Sequence, residues 1–574
     1  MSLSTENSKS SRWGKREREY VIDWRDPDIV DQIAQAVTNH VGVPGQSGSL
    51  EMIQTHISTV FLVDDQVLKF KRPVDVGFAD FRRLSQRKHY CQEELRLNRR
   101  LAKDVYLEVI PLYFDGVTFS FQPQAQIVDY AVAMRRLPPE KMLDARIIND
   151  QLSSSQMEGL AELLVNFHTT GTSRMDISTF GSLQLISQNW KENFTQVLPF
   201  LNITISGERH QAMQQEVFGF MTSHRELFQE RVDNGFIRDG HGDLRCEHIY
   251  LDDLEAGEGS PTESLEVRII DCIEFNERFR FGDVASDLAF LLMDMAAMGR
   301  PDLSQEMLSY YLAFSGDTAM MRLIPFYASY RAFVRGKVLS FKLSDKNLDE
   351  AEQYQLLSNA QRYFDLAWAF CKQMRPPVLL LMAGLMGSGK SALGKELAKR
   401  TGIAVYSSDV VRKELAKKQR AVSKKTTAEA GYGEGIYTSQ WTDKTYKALF
   451  QMAKEELSLG RSVILDASFT STALRKKALK LAKDYGAEGI VVECRLNEVE
   501  NLRRLLEREA QGGSVSDGRA ELFDQQKKTF EPITELSESQ HLIVSTHRSV
   551  KQTVKKILED QRLVIPPRLF STLQ

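Results

Sequence analysis

Apolar positions along the chain recur with two different periods, and the change between them divides it. From "DPDIVDQIAQAVTNHV" onward the apolar residues fall three and four apart, the spacing of a helix that buries one face, with Asp28 as its cap. In "ISTVFLVDDQVLKFKRPV" two β-branched runs flank Asp64-Asp65, which predicts a hairpin. "RRLSQRKHYCQEELRLNRRLA" follows as a charged amphipathic helix with Tyr90, Leu97 and Leu101 on or near its inner face. A mainly helical stretch from 150 to 235 is interrupted by the loop "HGDLRCEH" and the strand "EVRIIDCIEF", and helices resume to about 374. Arg375-Pro376-Pro377 ends that pattern, because consecutive prolines cannot continue a helix. Beyond it "VLLLMAGLMGSGKS" is an apolar strand running into a glycine turn. "GIAVYSS", "SVILDAS", "GIVVECR" and "HLIVST" then alternate with helices. Such alternation predicts a parallel sheet wrapped by helices. The expected organisation is a polar, flexible extension at 1–27, an α+β domain at 28–375 and an α/β domain at 376–574.

Composition narrows the class. The length of 574 residues exceeds what one core supports. A net charge of −3 argues against wholesale coating of nucleic acid, and "KKQRAVSKKTT" (417–427) reads as a solvated loop. Five cysteines (Cys91, Cys246, Cys272, Cys371, Cys494) are scattered and never form CxxC, so reduced thiols are expected without a zinc or disulfide framework. The N-terminal twenty residues lack the apolar core of a secretory signal. The most apolar helix, "ASDLAFLLMDMAAM" (285–298), carries Asp287 and Asp294 and is too short for a membrane span. A cytoplasmic location is the expectation.

The C-terminal chemistry is local in sequence. Gly384, Gly387, Ser388, Gly389, Lys390 and Ser391 fall within a GxxxxGK[ST] motif between an apolar strand and a helix. Glycines let backbone N–H groups close around phosphate, Lys390 neutralises the β- and γ-phosphates, and the Ser391 hydroxyl reaches Mg²⁺. Asp466, ending "SVILDAS", is the expected carboxylate of the metal shell. Asp409 in "YSSDVVRKEL" suits proton abstraction from an attacking hydroxyl, and Arg412 one turn on suits an anionic group of the acceptor. Arg504 and Arg508, one turn apart before a glycine-containing stretch, suit a flap over the transferring phosphate. These residues resemble those of small P-loop kinases, a group that includes polynucleotide 5′-hydroxyl kinases, zeta-toxin-like kinases, and gluconate or shikimate kinases. The resemblance implies Asp409 as general base and Arg504 and Arg508 as lid arginines.

The N-terminal chemistry is dispersed. "HGDL" supplies Asp243, a carboxylate suited to orienting or deprotonating an acceptor, and His241 beside it reads as an orienting residue. Asp271, closing "VRIID", offers a metal ligand, while Lys69 on a strand pairs with Glu94 on the next helix to orient phosphates. Lys71 shares the face of Lys69 and Glu93 neighbours Glu94, so both assignments have an alternative. Asp283 and Asp287 are expected to brace the loop, and Arg331 and Arg335, one turn apart, to lie on a surface helix in preference to lining an acceptor pocket. The stretches "THISTVFL", "CQEELRLNRRL", "HGDL" and "DVASDLAFLLMD" resemble the aminoglycoside phosphotransferase-like kinases. In them an Asn stands five residues after the loop Asp, and here that place holds His248. An imidazole nitrogen suits Mn²⁺, Zn²⁺ or Fe²⁺ better than Mg²⁺, so His248 signals a softer metal, a water-bridged Mg²⁺ or a degraded site.

The expected function is ATP-dependent transfer of phosphate to a hydroxyl of a small molecule, sugar or nucleotide, at two sites needing Mg²⁺ or, at the first, Mn²⁺. The alternatives are an N-terminal pseudokinase regulating one P-loop kinase, and a P-loop ATPase switch without an acceptor.

Overall fold

The computed structural model describes residues 20–41, 50–77, 79–123, 126–173, 175–254, 264–345, 348–422, 438–511, 523–560 and 563. Side chains at 254, 264, 418–422, 439, 508 and 511 are outside that description. Most of the N-terminal extension and residues 423–427 of "KKQRAVSKKTT" therefore lie outside the described residues, while 417–422 continue the helix Ser408–Val422 instead of the expected loop. Two compact units are present, Met1–Gly181 with Arg231–Asp287, and Ser182–Glu230 with Leu288–Gln574.

The first unit is built on six antiparallel strands: β1 (Leu50–Gln54), β2 (Ser58–Val63), β3 (Gln66–Lys71), β4 (Tyr106–Phe114), β5 (Phe119–Ser120) and β6 (Gln126–Arg135). Their order is β1-β2-β3-β6-β4-β5. The expected hairpin is β2–β3, and Asp64 takes a positive φ of 49° at its turn. Period-two alternation splits β3 cleanly. Leu68 and Phe70 enter a core with Trp24, Phe61 and helix α1 (Pro27–Val41), while Val67 joins Cys91, Tyr106 and Val132 on the opposite face. Lys69 and Lys71, at the same parity as Val67, therefore share the face that packs on helix α2 (Leu84–Asn98). The α1 cap differs from the expectation. Pro27 opens the helix, and the Asp26 carboxylate, not Asp28, accepts a bond from the Asp28 N–H at 3.0 Å. Proline at the first position pre-sets φ and needs no donor, so the cap falls one residue before it.

Helix α2 is tied to the sheet by a buried ion pair. Arg87 donates to Asp129 of β6 at 2.8 Å, and its remaining donors reach the carbonyls of Phe81, Arg82 and Val128. Burial pushes the Asp129 carboxyl up to about 6 against the lowering pull of Arg87. The unit continues into β7 (Ile237–Asp239), the hairpin β8 (Ile249–Leu254)–β9 (Ser264–Ile269), and β10 (Phe281–Asp283), which pairs with β7.

The second unit combines helices with a parallel sheet. Trp190 is fully buried and its ring packs against Phe194, Phe326, Tyr330 and Phe333. Arg331 stacks over Phe290 and Arg335 over Tyr363. The break expected at Pro376–Pro377 lies between the helix Glu350–Gln373 and β11 (Val378–Ala383). Strands β12 (Ala404–Ser407), β13 (Val463–Asp466), β14 (Glu488–Arg495) and β15 (His541–Ser545) complete an all-parallel sheet ordered β12-β13-β11-β14-β15. Both faces are covered, with Leu379 and Leu381 in one core and Val378, Leu380 and Met382 in the other. The five cysteines are free and buried. Among the described residues no helix is long and apolar enough to cross a membrane.

Arg87→Met leaves Asp129 buried without its partner and is expected to cost about 3–5 kcal/mol in urea unfolding of the first unit, whereas Arg87→Met with Asp129→Leu recovers most of that loss. Equal losses in the single and double variants would contradict the ion pair's role.

Candidate active sites

The P-loop site grows from the end of β11, a strand buried along its whole length. Three glycines make the turn, each at a positive φ. A Cβ at Gly384 would lie 2.6 Å from the Cys494 carbonyl, and one at Gly387 would lie 2.9 Å from the Asn501 carbonyl. Gly389, at φ +89°, caps the helix Lys390–Thr401 and opens its positive end toward the loop. The Met386 N–H donates to Gln526 at 2.7 Å, which pins the loop from outside. Lys390 folds back and donates to the Leu385 carbonyl at 2.7 Å. The buried Ser388 hydroxyl has no hydrogen-bond partner among the described residues.

The sheet order places the remaining groups. Asp466 ends β13 directly across from Met382 of β11 and is 4% exposed. Ser407, the last residue of β12, pairs with Asp466, so the chain enters the helix Ser408–Val422 beside it, with Asp409 and Arg412 in its first turns. Ser391 stands second in the helix after Gly389. The Walker-type loop, Asp466 and Asp409 thus share the carboxyl edge of adjacent strands, where doubly wound sheets bind ligands. Tyr446 joins them: its buried hydroxyl accepts from the Phe469 N–H at 3.2 Å, and the charges of Arg412 and Asp409 both reach it. Phe469 sits at φ +44°, a strained value held by its neighbours. Arg475, fully buried, secures the same loop by donating to the Phe469 carbonyl at 2.8 Å and to Glu535 at 2.5 Å. Arg504 donates to the Thr546 carbonyl at 2.9 Å and to Glu500 at 3.2 Å, with its guanidinium against Gly389. It is fastened beside the loop. The Arg508 side chain lies outside the described residues.

The N-terminal site is assembled from side-chain ion pairs. Glu94 is fully buried and receives Lys69 at 2.8 Å on one oxygen and Lys71 at 2.5 Å on the other. Glu93 points away and pairs with Arg96 at 2.7 Å on the surface. Lys69 also binds Asp271 at 2.6 Å, and Lys71 binds Glu274. Lys69 keeps 15% of its side chain exposed and Lys71 only 1%, so Lys69 is the lysine facing solvent. Burial would lower the Lys69 ammonium, but Asp271 and Glu94 raise it well above its ordinary value. Asp271, with 44% of its side chain exposed, is only partly desolvated, and Lys69 followed by His248 holds it well below the usual carboxylate range. Asp271 takes φ +63° just past β9, and its N–H donates to the Tyr106 hydroxyl at 3.1 Å.

The loop that carries Asp243 is braced from behind. Asp287 accepts from the His241 N–H at 2.5 Å and the Gly242 N–H at 2.9 Å. Gly242, at φ +86°, passes so near the Phe279 carbonyl that a Cβ would meet it at 2.8 Å. Asp283 instead anchors Arg231 through two bonds, at 2.9 and 2.7 Å. Burial lowers the His241 imidazole to about 4, so it is neutral near pH 7, with Nε2 2.9 Å from the Ile270 carbonyl. His248 stands in the expected place. Its Nδ1 lies 2.8 Å from the Asp243 carbonyl and so carries the hydrogen. Nε2 then presents its lone pair, 3.8 Å from Asp271 and 3.6 Å from Glu247. Arg245, which pairs with Glu247 at 2.5 Å, stands 4.0 Å from Asp243. Asp271 and His248, 3.8 Å apart, and Ser391 and Asp466 offer the types of donor that suit a divalent ion. Among the described residues no three His, Cys, Asp or Glu side chains are grouped to hold a metal alone.

Gly384→Ala is expected to weaken ATP binding at the P-loop site at least tenfold by calorimetry, since the new Cβ drives into the Cys494 carbonyl. Unchanged binding would show that this turn adapts.

Residues 379–533 match the family model of the AAA domain. The uncharacterized protein Rv2004c of Mycobacterium tuberculosis is 30% identical over 473 residues, which is 82% of this chain and 88% of that protein. The uncharacterized protein Mb2027c of Mycobacterium bovis matches to the same extent. Among solved structures, a choline/ethanolamine kinase family protein from Mesorhizobium loti is 15% identical, covering 60% of this chain and 98% of that one at a TM-score of 0.34. A gluconokinase from Sinorhizobium meliloti is 17% identical over 32% of this chain and 91% of that one, at a TM-score of 0.24. The chain belongs to the family of these mycobacterial proteins, and its residues 379–533 form a domain that matches the AAA family.

Proposed function

We propose that the chain is an ATP-dependent phosphotransferase with two nucleotide sites, one in residues 28–375 and one in residues 376–574, each passing the γ-phosphate of ATP to a hydroxyl acceptor. The observation that carries this reading is the shared strand edge of the phosphate loop, Asp466 and Asp409. A pure ATPase switch needs the first two but has no use for a carboxylate beside them.

At the P-loop site the N–H groups of 385–390 cradle the phosphates and Lys390 leaves the Leu385 carbonyl for them. Asp409 takes the proton of the acceptor hydroxyl, whose oxygen then bonds the γ-phosphorus as the bond to ADP breaks. Arg412 holds an anionic group of that acceptor, and Arg504 and Arg508 screen the phosphates. At the N-terminal site Asp243 plays the part of the base, Lys69 meets the phosphates and Glu94 orients it. Asp271 with His248, and Ser391 with Asp466, would hold the divalent ions, which supply charge neutralisation on the phosphate oxygens. A small-molecule, sugar or nucleotide acceptor fits the near-neutral charge better than nucleic acid.

Transfer of labelled γ-phosphate from ATP into a bacterial metabolite extract tests the reading. Asp409→Ala is expected to cut transfer at the P-loop site by about 10²–10⁴-fold with ATP binding retained. Turnover that persists with no labelled acceptor would favour the switch. At the other site, Asp243→Ala should abolish its share of transfer, and His248→Asn should move its preference from Mn²⁺ toward Mg²⁺. Nucleotide binding that leaves transfer untouched by Asp243→Ala, under either metal, would instead make this domain a regulator.

A further inference from the structure

Lys71 and Glu274 have no part in the reading above, yet both are buried charges of the first unit, at 1% and 8% exposure. Removing two charges from water costs several kcal/mol per ion unless their partners are close. The arrangement around Glu94 shows what that cost accompanies. Lys69 bridges Glu94 and Asp271, and Lys71 bridges Glu94 and Glu274, so one carboxylate is shared by two ammonium groups, each of which holds a further carboxylate. The two lysines differ in freedom. Lys69 keeps an open side, and its partner Asp271 has 44% of its side chain exposed. Lys71 and Glu274 are enclosed.

The consequence lies in what happens when phosphate arrives. Lys69 must turn part of its hydrogen bonding away from carboxylate and toward phosphate. With a single lysine, Glu94, fully buried, would then share its one counterion with the phosphates. We propose that Lys71 is a permanent counterion for Glu94, clamped there by Glu274, whose role is to leave Lys69 free to pass from Asp271 to the nucleotide phosphates. Lys71 touches no substrate and is a positioning residue. The charged and titratable groups around Glu94 support this division. They are Lys69 and Lys71 from β3, Asp271 and Glu274 from the segment after β9, Tyr106 from β4 and Cys91 one turn back on α2. The two lysines are the cations of the group, and only Lys69 faces solvent. Ser58, directly across the ladder from Lys71, adds a buried hydroxyl that offers no charge.

The proposal rests on reading Lys69 as the phosphate lysine, and the experiment separates the two. Hydrogen exchange in peptides covering β2 and β3 of the full chain is followed against ATP and against adenosine, so that only the N-terminal site is read. Lys71→Met alone strands Glu274 and is expected to lower Tm. Lys71→Met with Glu274→Gln removes both charges and keeps the fold. In that double variant the ATP concentration giving half-protection should rise at least tenfold, while that for adenosine, which has no phosphate for Lys69, stays within threefold. A parallel rise for both ligands, or no rise for either, overturns the role given to Lys71. Failure of ATP to protect these strands in the parent chain overturns the phosphate role of Lys69 and the proposal with it.

Discussion

Glu94 is the fixed point of the N-terminal site. A fully buried carboxylate persists as an anion only where cations meet it at hydrogen-bonding distance, and here two lysines do so from one strand. Their placement follows from a single β-sheet rule. Residues two apart on β3 share a face, so the alternation that sends Leu68 and Phe70 into the α1 core sends Lys69 and Lys71 together toward α2. The Arg87–Asp129 pair then fixes α2 against β6, and with it the height of Glu94 over the sheet. Asp271 is brought to the same cluster by its left-handed turn after β9 and by the Tyr106 hydroxyl.

The P-loop site solves the same problem by other means. Its phosphate cradle is main chain, shaped by glycines at positions where the Cys494 and Asn501 carbonyls leave no space for a side chain. Side chains enter chiefly from strand ends. Asp466 and Asp409 are brought to one edge because β13 lies between β11 and β12. One site thus depends on paired charges contributed by segments about two hundred residues apart, and the other on a turn of eight consecutive residues.

That difference decides what is legible in the sequence alone. The "GLMGSGKS" loop is legible because its chemistry is contiguous, and the strands ending at Asp466 and Ser407 stand out as apolar runs. The hairpin at Asp64-Asp65 was equally plain. The structure sets Glu94 against the lysines and Glu93 against Arg96, a distinction that period alone leaves open, since only packing shows which side of α2 faces the lysines. Lys69 and Lys71 stood as rivals, whereas the structure engages both. Glu274, Tyr106 and Tyr446 were missed because their partners come from distant segments. A faint signal existed for Glu274, a carboxylate three residues after Asp271 in the otherwise apolar "VRIIDCIEF". The α1 cap shifted to Asp26 for a local reason, the proline at the first helical position.

The central claim is that one chain holds two nucleotide sites of different construction. Equilibrium dialysis with ATP and Mg²⁺ on the full chain, beside Lys390→Ala and Lys69→Met, tests it most directly. The account predicts two ATP bound per chain in the parent and one in each variant. A single ATP per chain, lost entirely in Lys390→Ala and untouched by Lys69→Met, would contradict it.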